Sequence, residues 1–262
     1  MTIRSPAVAG QFYNNNPTIL RAQIEYWLSE DVLDECRAIR AVIVPHAGYI
    51  YSGQTAARAY ALVRQQKDKI KKVLLVGPSH RVYFKGCAVP ACDQFCSPLG
   101  NLDIAQDTLK LLKENTLVTF SDSLHQQEHS LEVQLPFLQV CLNPEIRLMP
   151  LLVCDISASE LATIIDALWD EETLLVISSD LSHFHTYTEA NRIDRHTCHK
   201  IAHFQAEITP QEACGCTGIN ALLLLAKKNG YQLEQLQHNN SGDTSGDLSR
   251  VVGYVSYITT EL

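Results

Sequence analysis

The chain has 262 residues, of which 46% are hydrophobic and 19% charged, and its formal net charge at pH 7 is −8. This acidic balance, without clustered Lys or Arg, argues against a nucleic-acid or anionic-membrane surface, since both need concentrated positive charge. No apolar run approaches the ~18 residues of a membrane span, and the first residues, MTIRSPAVAGQFY, lack the apolar core of a signal peptide. The nine cysteines are scattered along the chain, which favours free thiols in a reducing cytoplasm.

Short apolar segments alternate with helical patterns along the chain. The predicted elements are helix 17–28, strand 41–44, helix 53–65, strand 73–76, helix 104–114, strand 146–153, helix 157–169, strand 173–177, helix 187–205, helix 217–229 and strand 251–258. Gly230 follows a helix at the usual C-cap position, and the SGDTSG stretch at 241–246 is predicted to be a loop. The alternation predicts one α/β domain over residues 1–262, with a largely parallel central sheet covered by helices on both faces.

Three of the predicted strands end in loops that carry a histidine. VIVPHAGY contains His46, LLVGPSH contains His80 and VISSDLSHF contains His183. Because ligands bind at the carboxyl ends of parallel strands, these imidazoles are expected to share one pocket. Gly77 and Pro78 are predicted to make a sharp exit from their strand. A single histidine after a strand is more often an ordinary loop residue, but three equivalent endings favour a site.

Two further segments are candidates for the same pocket. In ACGCTG, Cys214 and Cys216 precede a predicted helix, whose dipole is expected to lower a thiol pKa and favour a metal ligand or redox nucleophile. The alternative is a small residue packed beside a glycine turn. In EHSLEVQL, His129 and Glu132 are expected to share a helix face, where an acid–imidazole pair can ligate a metal or relay protons. The alternative is a helix start with acidic residues in its first turn.

These motifs together resemble the Memo family (mediator of cell motility), whose bacterial and archaeal members are called AmmeMemoRadiSam system protein B. The matching stretches are PAVAGQFY at 6–13, PHAGY at 45–49, GPSH at 77–80, EHSLE at 128–132, SSDLSH at 178–183, CG at 214–215, SGDTSGD at 241–247 and VVGY at 251–254. They follow the family order over almost the whole chain. Two positions depart from the family pattern: Asn14 replaces a proline, and Cys216 adds a second thiol.

The resemblance implies a fold similar to that of class III extradiol dioxygenases, which open catechol rings with non-haem Fe(II) and O₂. The pocket residues of the family correspond to five positions of this chain: His46, His80, Asp180, His183 and Cys214. Five more residues are expected to line the same cleft: Tyr49, Ser79, His129, Glu132 and Cys216.

By analogy with the ring-cleaving enzymes, His46 and His80 are expected to hold a metal, with Cys214 in place of their carboxylate. The expected cofactor is a divalent transition metal, with Fe(II) favoured and Cu or Zn as alternatives, because thiolate favours softer metals. A pocket without metal is the remaining alternative. His183, oriented by Asp180, is expected to act as a general base toward a substrate hydroxyl.

The predicted function is a metal-dependent redox or oxygenase-type activity on a small molecule. Because a fold does not determine a function, two alternatives stay open. One is a non-catalytic protein that binds a metal or a phosphopeptide. The other is an accessory role in a modification system with AMMECR-type and radical-SAM partner proteins. A weaker hypothesis uses Cys214 as a nucleophile and His183 as its base.

Overall fold

The computed structural model describes residues 1–29 and 38–261. Its strands are β1 (Ile3–Arg4), β2 (Ile39–Val44), β3 (Lys72–Pro78), β4 (Cys87–Val89), β5 (Gln94–Ser97), β6 (Gly100–Ile104), β7 (Val118–Phe120), β8 (Arg147–Val153), β9 (Thr173–Ser178), β10 (His183–His185), β11 (Gln232–Asn240) and β12 (Val251–Thr260). Its α-helices are α1 (Pro17–Ser29), α2 (Tyr49–Arg64), α3 (Gln106–Leu109), α4 (Asp122–His125), α5 (Leu135–Cys141), α6 (Ala158–Asp166), α7 (Tyr187–Ala202), α8 (Cys216–Asn229) and α9 (Ser241–Ser245). Two 3-10 turns span Lys110–Leu112 and Glu132–Gln134.

A five-stranded parallel sheet forms the centre of the molecule, in the order β6–β8–β3–β9–β2. At one edge β12 pairs antiparallel with β2, and both β10 and β11 pair with β12. Beyond the other edge lie β5 and then β1, while β4 pairs with β7 and with the end of β8. The described residues thus form one α/β domain around a largely parallel sheet, which confirms the predicted fold class.

The connections between parallel strands explain why helices cover both faces of the sheet. Helix α2 carries the chain from β2 to β3, and α6 carries it from β8 to β9 in the opposite direction across the sheet. Parallel crossovers are right-handed, so opposite directions place the two helices on opposite faces. Helices α1 and α5 pack beside α2, and α8 packs beside α6. Within the described ranges, every helix is too short or too polar to cross a membrane.

The neighbouring parallel strands β3 and β9 are followed by connections that lead to opposite edges of the sheet. The loop after β3 leads to β4 on the β8 side of the sheet, whereas the loop after β9 leads to β10 at the opposite edge. A crevice forms at the carboxyl ends of strands where connections diverge in this way, and such crevices bind ligands in open α/β sheets.

Several local elements differ from their predicted form because tertiary contacts override the sequence pattern. Ile104 ends β6 in place of starting a helix, since its backbone pairs with β8. The predicted loop at 241–246 contains α9, which Asn240 and Asp243 stabilise through reciprocal capping hydrogen bonds. Gly230 ends α8 in a left-handed conformation (φ 72°), as predicted.

Gly77 permits a close approach between two segments and does not form the predicted sharp exit. Strand β3 continues through Pro78, which pairs with Val153 of β8. A Cβ at position 77 would lie 2.8 Å from Leu131 Cδ2 and 2.9 Å from Ser130 Oγ. A glycine in a strand is typical of such close packing.

We expect Gly77→Ala to lower the free energy of unfolding by about 1–3 kcal/mol, because the new methyl group overpacks a buried contact. Gly218→Ala is the matched control. A Cβ at Gly218 would contact Ile177 at 3.3 Å, and the gain in helix propensity of about 1 kcal/mol offsets that crowding. Urea denaturation of both variants measures the difference, and equal stabilities would contradict the packing role of Gly77.

Candidate metal centre

Three imidazoles meet at the carboxyl edge of the central sheet. His46 follows β2, His80 follows β3, and His129 precedes the Glu132–Gln134 turn. One nitrogen of each ring lies within 4.8 Å of the others, and the ring centroids are between 4.6 and 5.5 Å apart. His46 is buried, His129 is half-buried and His80 is solvent-accessible. The group has the composition of a transition-metal site, since imidazole nitrogen suits Zn, Cu and Fe.

Hydrogen bonds determine which nitrogen of His46 is available. Nδ1 lies 2.9 Å from Ser178 Oγ, and the Ser178 hydroxyl lies 2.6 Å from the carbonyl oxygen of Ser130. A carbonyl only accepts, so Ser178 donates its single hydrogen there and His46 Nδ1 must donate to Ser178. The lone pair of the ring is therefore on Nε2, which lies 3.4 Å from the Cys214 thiol. Burial lowers the pKa of His46 to about 4, which keeps the ring neutral and able to bind a metal near neutral pH.

The carboxylate of Glu128 orients His80. Its oxygens accept a hydrogen bond from the His80 backbone at 2.6 Å and lie 3.0 Å from His80 Nδ1. Oε1 also accepts from the backbone N–H groups of His129 and Ser130, each at 2.9 Å. Burial alone would raise the pKa of Glu128, but the imidazoles of His129 and His80 hold it well below its usual range. An ionised carboxylate only accepts, so His80 carries its hydrogen on Nδ1 and leaves Nε2 free.

His129 supplies the third nitrogen of the group. Its Nδ1 is buried and lies 3.2 Å from Glu128 Oε1, yet it is not aligned for a hydrogen bond and has no hydrogen-bond partner among the described residues. The ring packs against Phe12, with centroids 4.8 Å apart. Imidazoles held from behind by hydroxyl and carboxylate acceptors are the usual arrangement around protein-bound metals. The residues present therefore fit a divalent transition metal.

Cys214 lies beside His46 but outside the histidine group. Its Sγ is 3.4 Å from His46 Nε2 and accepts a hydrogen bond from the Asp180 backbone at 3.3 Å. The pKa of the Cys214 thiol is raised by burial and by the Asp180 carboxylate, opposite to the expected effect of the helix dipole. Burial likewise raises the pKa of Cys216. Sequence reasoning placed Cys214 among the ligands, whereas in the structure His129 completes the group of three.

Asp180 supports His46, although the sequence predicted that it orients His183. Asp180 Oδ1 accepts from the His46 backbone at 2.8 Å, and Oδ2 lies 3.9 Å from His46 Nε2. His183 Nδ1 instead donates to the carbonyl oxygen of Leu181 at 2.8 Å, which leaves Nε2 able to accept a proton. The pairing of β10 with β12 holds His183, and the next residue, Phe184, has a left-handed backbone (φ 64°). His183 is not one of the three clustered imidazoles.

Glu132 anchors the N-terminal segment, although it was expected to line the metal cleft. Its buried carboxylate accepts hydrogen bonds from four donors: Arg4 Nη1 at 2.8 Å, Ala7 N at 2.7 Å, Val8 N at 2.9 Å and Tyr13 OH at 2.6 Å. Residues 128–131 are not helical, so His129 and Glu132 do not share a helix face. Arg4 also donates to the carbonyl oxygens of His125 and Glu128. The ion pair therefore contacts the backbone of the segment that leads to His129.

The remaining candidates divide between the core and a cavity. Tyr49 donates to the carbonyl oxygen of Val133 and packs on Phe137, so it belongs to the core and does not line the cleft. A cavity of about 190 Å³ lies between the ends of β3, β8 and β9 and the start of α8. Its lining includes three residues of the matched motifs, Ser79, Ser178 and Cys214, together with the additional thiol of Cys216. Two of these, Ser178 and Cys214, also contact His46, so the cavity adjoins the candidate metal centre.

Sequence reasoning did not assign a role to Glu128, Ser178 or Gln134, which act on the imidazoles from behind. Glu128 lies in the EHSLE motif directly before His129, and Ser178 lies in the SSDLSH motif directly after an apolar strand. A polar side chain in such a position was the available indication of a role. Gln134 lies in an amphipathic stretch and carried no distinguishing pattern.

Glu128 and Glu132 form a matched pair of buried carboxylates with different expected effects. Glu128→Gln removes the anion that orients His80 and should weaken Zn²⁺ binding about ten- to a hundredfold. Glu132→Gln should change the Zn²⁺ affinity much less but destabilise the fold by about 3–5 kcal/mol, because it leaves Arg4 without its buried partner. Calorimetric Zn²⁺ titration and urea denaturation measure the two effects. A larger loss of affinity in Glu132→Gln would contradict this assignment.

The free energy of unfolding should decrease as the pH falls from 6.5 toward 4. Burial lowers the pKa values of His46 and His125 from 6.5 to about 4, so in this window the unfolded chain binds protons that the folded chain does not. Each imidazole contributes up to about 1.4 kcal/mol per pH unit. Urea denaturation across the window measures the slope, which should be shallower in His125→Asn. An unchanged slope in that variant would show that His125 is not buried in its neutral form.

Comparison with known proteins agrees with the matched motifs. The family model described as Memo-like protein matches residues 4–258. A MEMO1 family protein of Thermoplasma volcanium is 32% identical over 267 residues, an alignment that covers 98% of this chain and 98% of the relative. MEMO1 family proteins of Sulfolobus acidocaldarius and Saccharolobus solfataricus are 31% and 30% identical, and both alignments cover 97% of this chain and 98% of the relative. The chain therefore belongs to the Memo family.

Proposed function

We propose that the protein binds a divalent transition metal through His46, His80 and His129 and carries out a redox or oxygenase-type reaction on a small molecule. The convergence of one nitrogen from each imidazole within 4.8 Å supports this proposal most directly. The hydrogen bonds of Ser178 and Glu128 add to it, because they place the lone pairs of His46 and His80 on Nε2, the nitrogen that would bind an ion.

Fe(II) is the favoured metal, and Cu and Zn are alternatives that imidazole also binds. When bound, a redox-active ion supplies electron transfer and open positions for O₂ or substrate. Glu128 contributes as the hydrogen-bond acceptor behind His80, and the three imidazoles themselves are neutral ligands. This set leaves the full charge of the ion in place, which favours an anionic substrate group such as a phenolate.

The cavity of about 190 Å³ provides the proposed binding place for the organic substrate. Its walls include Val76, Pro78 and Ile177, which exclude water from one side and suit an apolar ring. Ser178 and Cys214 separate the cavity from His46. His183 remains the proposed general base, because its Nδ1–H bond to Leu181 leaves Nε2 able to take a proton from a substrate hydroxyl.

Anaerobic loading with Fe(II), Cu or Zn followed by elemental analysis tests the metal site. We expect about one ion per chain in the wild type and loss of that ion in the His46→Ala/His80→Ala double variant, because a single imidazole holds a metal weakly. His129→Ala should also lose the ion, whereas Cys214→Ser should retain it, because the proposed ligands are the three imidazoles. Equal metal content in the wild type and the double variant would refute the proposed site.

Oxygen uptake with a panel of catechols then tests the reaction. His183→Ala should retain the metal and lose uptake, since the proposed base lies outside the ligand group.

A second candidate function is metal binding without turnover. Among the described residues, the cluster of possible ligands contains three histidines and no carboxylate. Ring-cleaving iron sites use two histidines and a carboxylate, so this difference favours the second function. Full metal occupancy without uptake on any substrate would support this second function. A role with AMMECR-type and radical-SAM partners stays a prediction from the resemblance.

A further inference from the structure

Gln134 lies directly behind the candidate metal centre and is fully buried. Its Nε2 donates to the carbonyl oxygen of Pro45 and to Ser178 Oγ, both at 2.9 Å. Its Oε1 accepts a hydrogen bond from Tyr60 OH, also at 2.9 Å. One amide thus connects the residue before His46, the end of β9 and helix α2.

The partners determine the orientation of the Gln134 amide. The carbonyl oxygen of Pro45 can only accept, so the nitrogen of Gln134 must face it. The amide oxygen can only accept, so the Tyr60 hydroxyl donates to it. Both hydrogens of the amide nitrogen are therefore assigned, one to Pro45 and one to Ser178.

These hydrogen bonds saturate the Ser178 hydroxyl. Oγ has one hydrogen and two lone pairs, and the hydrogen is directed to the Ser130 carbonyl oxygen. A hydrogen from Gln134 occupies one lone pair, and the hydrogen on His46 Nδ1 occupies the other. Without the Gln134 donor, one lone pair of the buried Oγ has no partner, and Ser178 loses the contact that holds its hydroxyl between Ser130 and His46. A Ser178 side chain that turns away no longer accepts from His46 Nδ1, and the imidazole is then free to carry its hydrogen on Nε2.

We propose that Gln134 is a positioning residue for the metal centre. Through Ser178 it holds His46 in the tautomer with hydrogen on Nδ1, and through Pro45 it holds the backbone from which His46 extends. The lone pair is thereby kept on Nε2, beside the Cys214 thiol, before any ion arrives. The functional part of this inference rests on the metal binding proposed above, whereas the tautomer is a property of the metal-free protein.

The test compares Gln134→Met, which keeps the side-chain length but removes both donors, with Tyr60→Phe as the matched control. Long-range ¹⁵N–¹H correlation spectra of ¹⁵N-histidine-labelled, metal-free protein distinguish the two tautomers of His46. Wild type and Tyr60→Phe should show hydrogen on Nδ1 alone, because Pro45 still orients the amide, and Gln134→Met should show a mixture. Zn²⁺ affinity should fall about ten- to a hundredfold in Gln134→Met and change much less in Tyr60→Phe.

A single Nδ1–H tautomer together with wild-type Zn²⁺ affinity in Gln134→Met would overturn the proposal. If wild type itself binds no Zn²⁺, the proposed function fails, and the tautomer spectra alone still decide the role of Gln134. Should Gln134→Met fail to fold by circular dichroism, Ser178→Ala takes its place. That variant keeps the Gln134 bonds to Pro45 and Tyr60 but removes the hydroxyl through which Gln134 acts on His46. It should give the same mixture of tautomers, and hydrogen on Nδ1 alone would overturn the proposal.

Discussion

The buried, ionised carboxylate of Glu128 is the interaction on which the candidate site depends. It accepts hydrogen bonds from the backbone of His80, His129 and Ser130, so a single anion holds two loops at the sheet edge against each other. A buried charge without such donors would be strongly unfavourable, and with them it becomes a rigid connection. The same oxygens orient the His80 ring. The position of the loops and the chemistry of the imidazole therefore have one cause.

The support for this carboxylate extends to the N-terminus of the chain. Arg4 donates to the carbonyl oxygen of Glu128 and pairs with the buried Glu132, which also accepts from the backbone of Ala7 and Val8. A buried ion pair of this kind contributes little net stability compared with apolar packing, but it tolerates only one arrangement of its partners. The PAVAGQFY segment thus belongs to the support of the site, which explains why a stretch far from the ligands in sequence is part of the matched pattern.

Sequence patterns predicted the fold class and the central strands well, because strands buried on both faces are apolar runs with few alternative interpretations. They also located His46 and His80, since parallel strands bring their loops to one edge. The place of His129 in the histidine group could not be predicted in preference to Cys214, because it depends on how the non-helical residues 128–131 turn at the end of β3. The partner of Asp180 was equally inaccessible, since it depends on contacts between residues 134 positions apart. Short strands toward one side of the sheet, such as β5 and β6, were missed because their pattern is weak and tertiary pairing determines them.

The distribution of the histidine group over the chain has a thermodynamic consequence. Its three rings come from three loops: one after β2, one after β3 and one after α4. The hydroxyl that accepts from His46 belongs to Ser178 at the end of β9. An unfolded or half-assembled chain has no such arrangement, so an ion that prefers this geometry binds the completed domain alone. An ion bound there would by ligand linkage stabilise the whole molecule, by about 2.7 kcal/mol at a hundredfold excess over its dissociation constant. If the proposed function holds, the supply of metal would in this way also affect how long the folded chain persists.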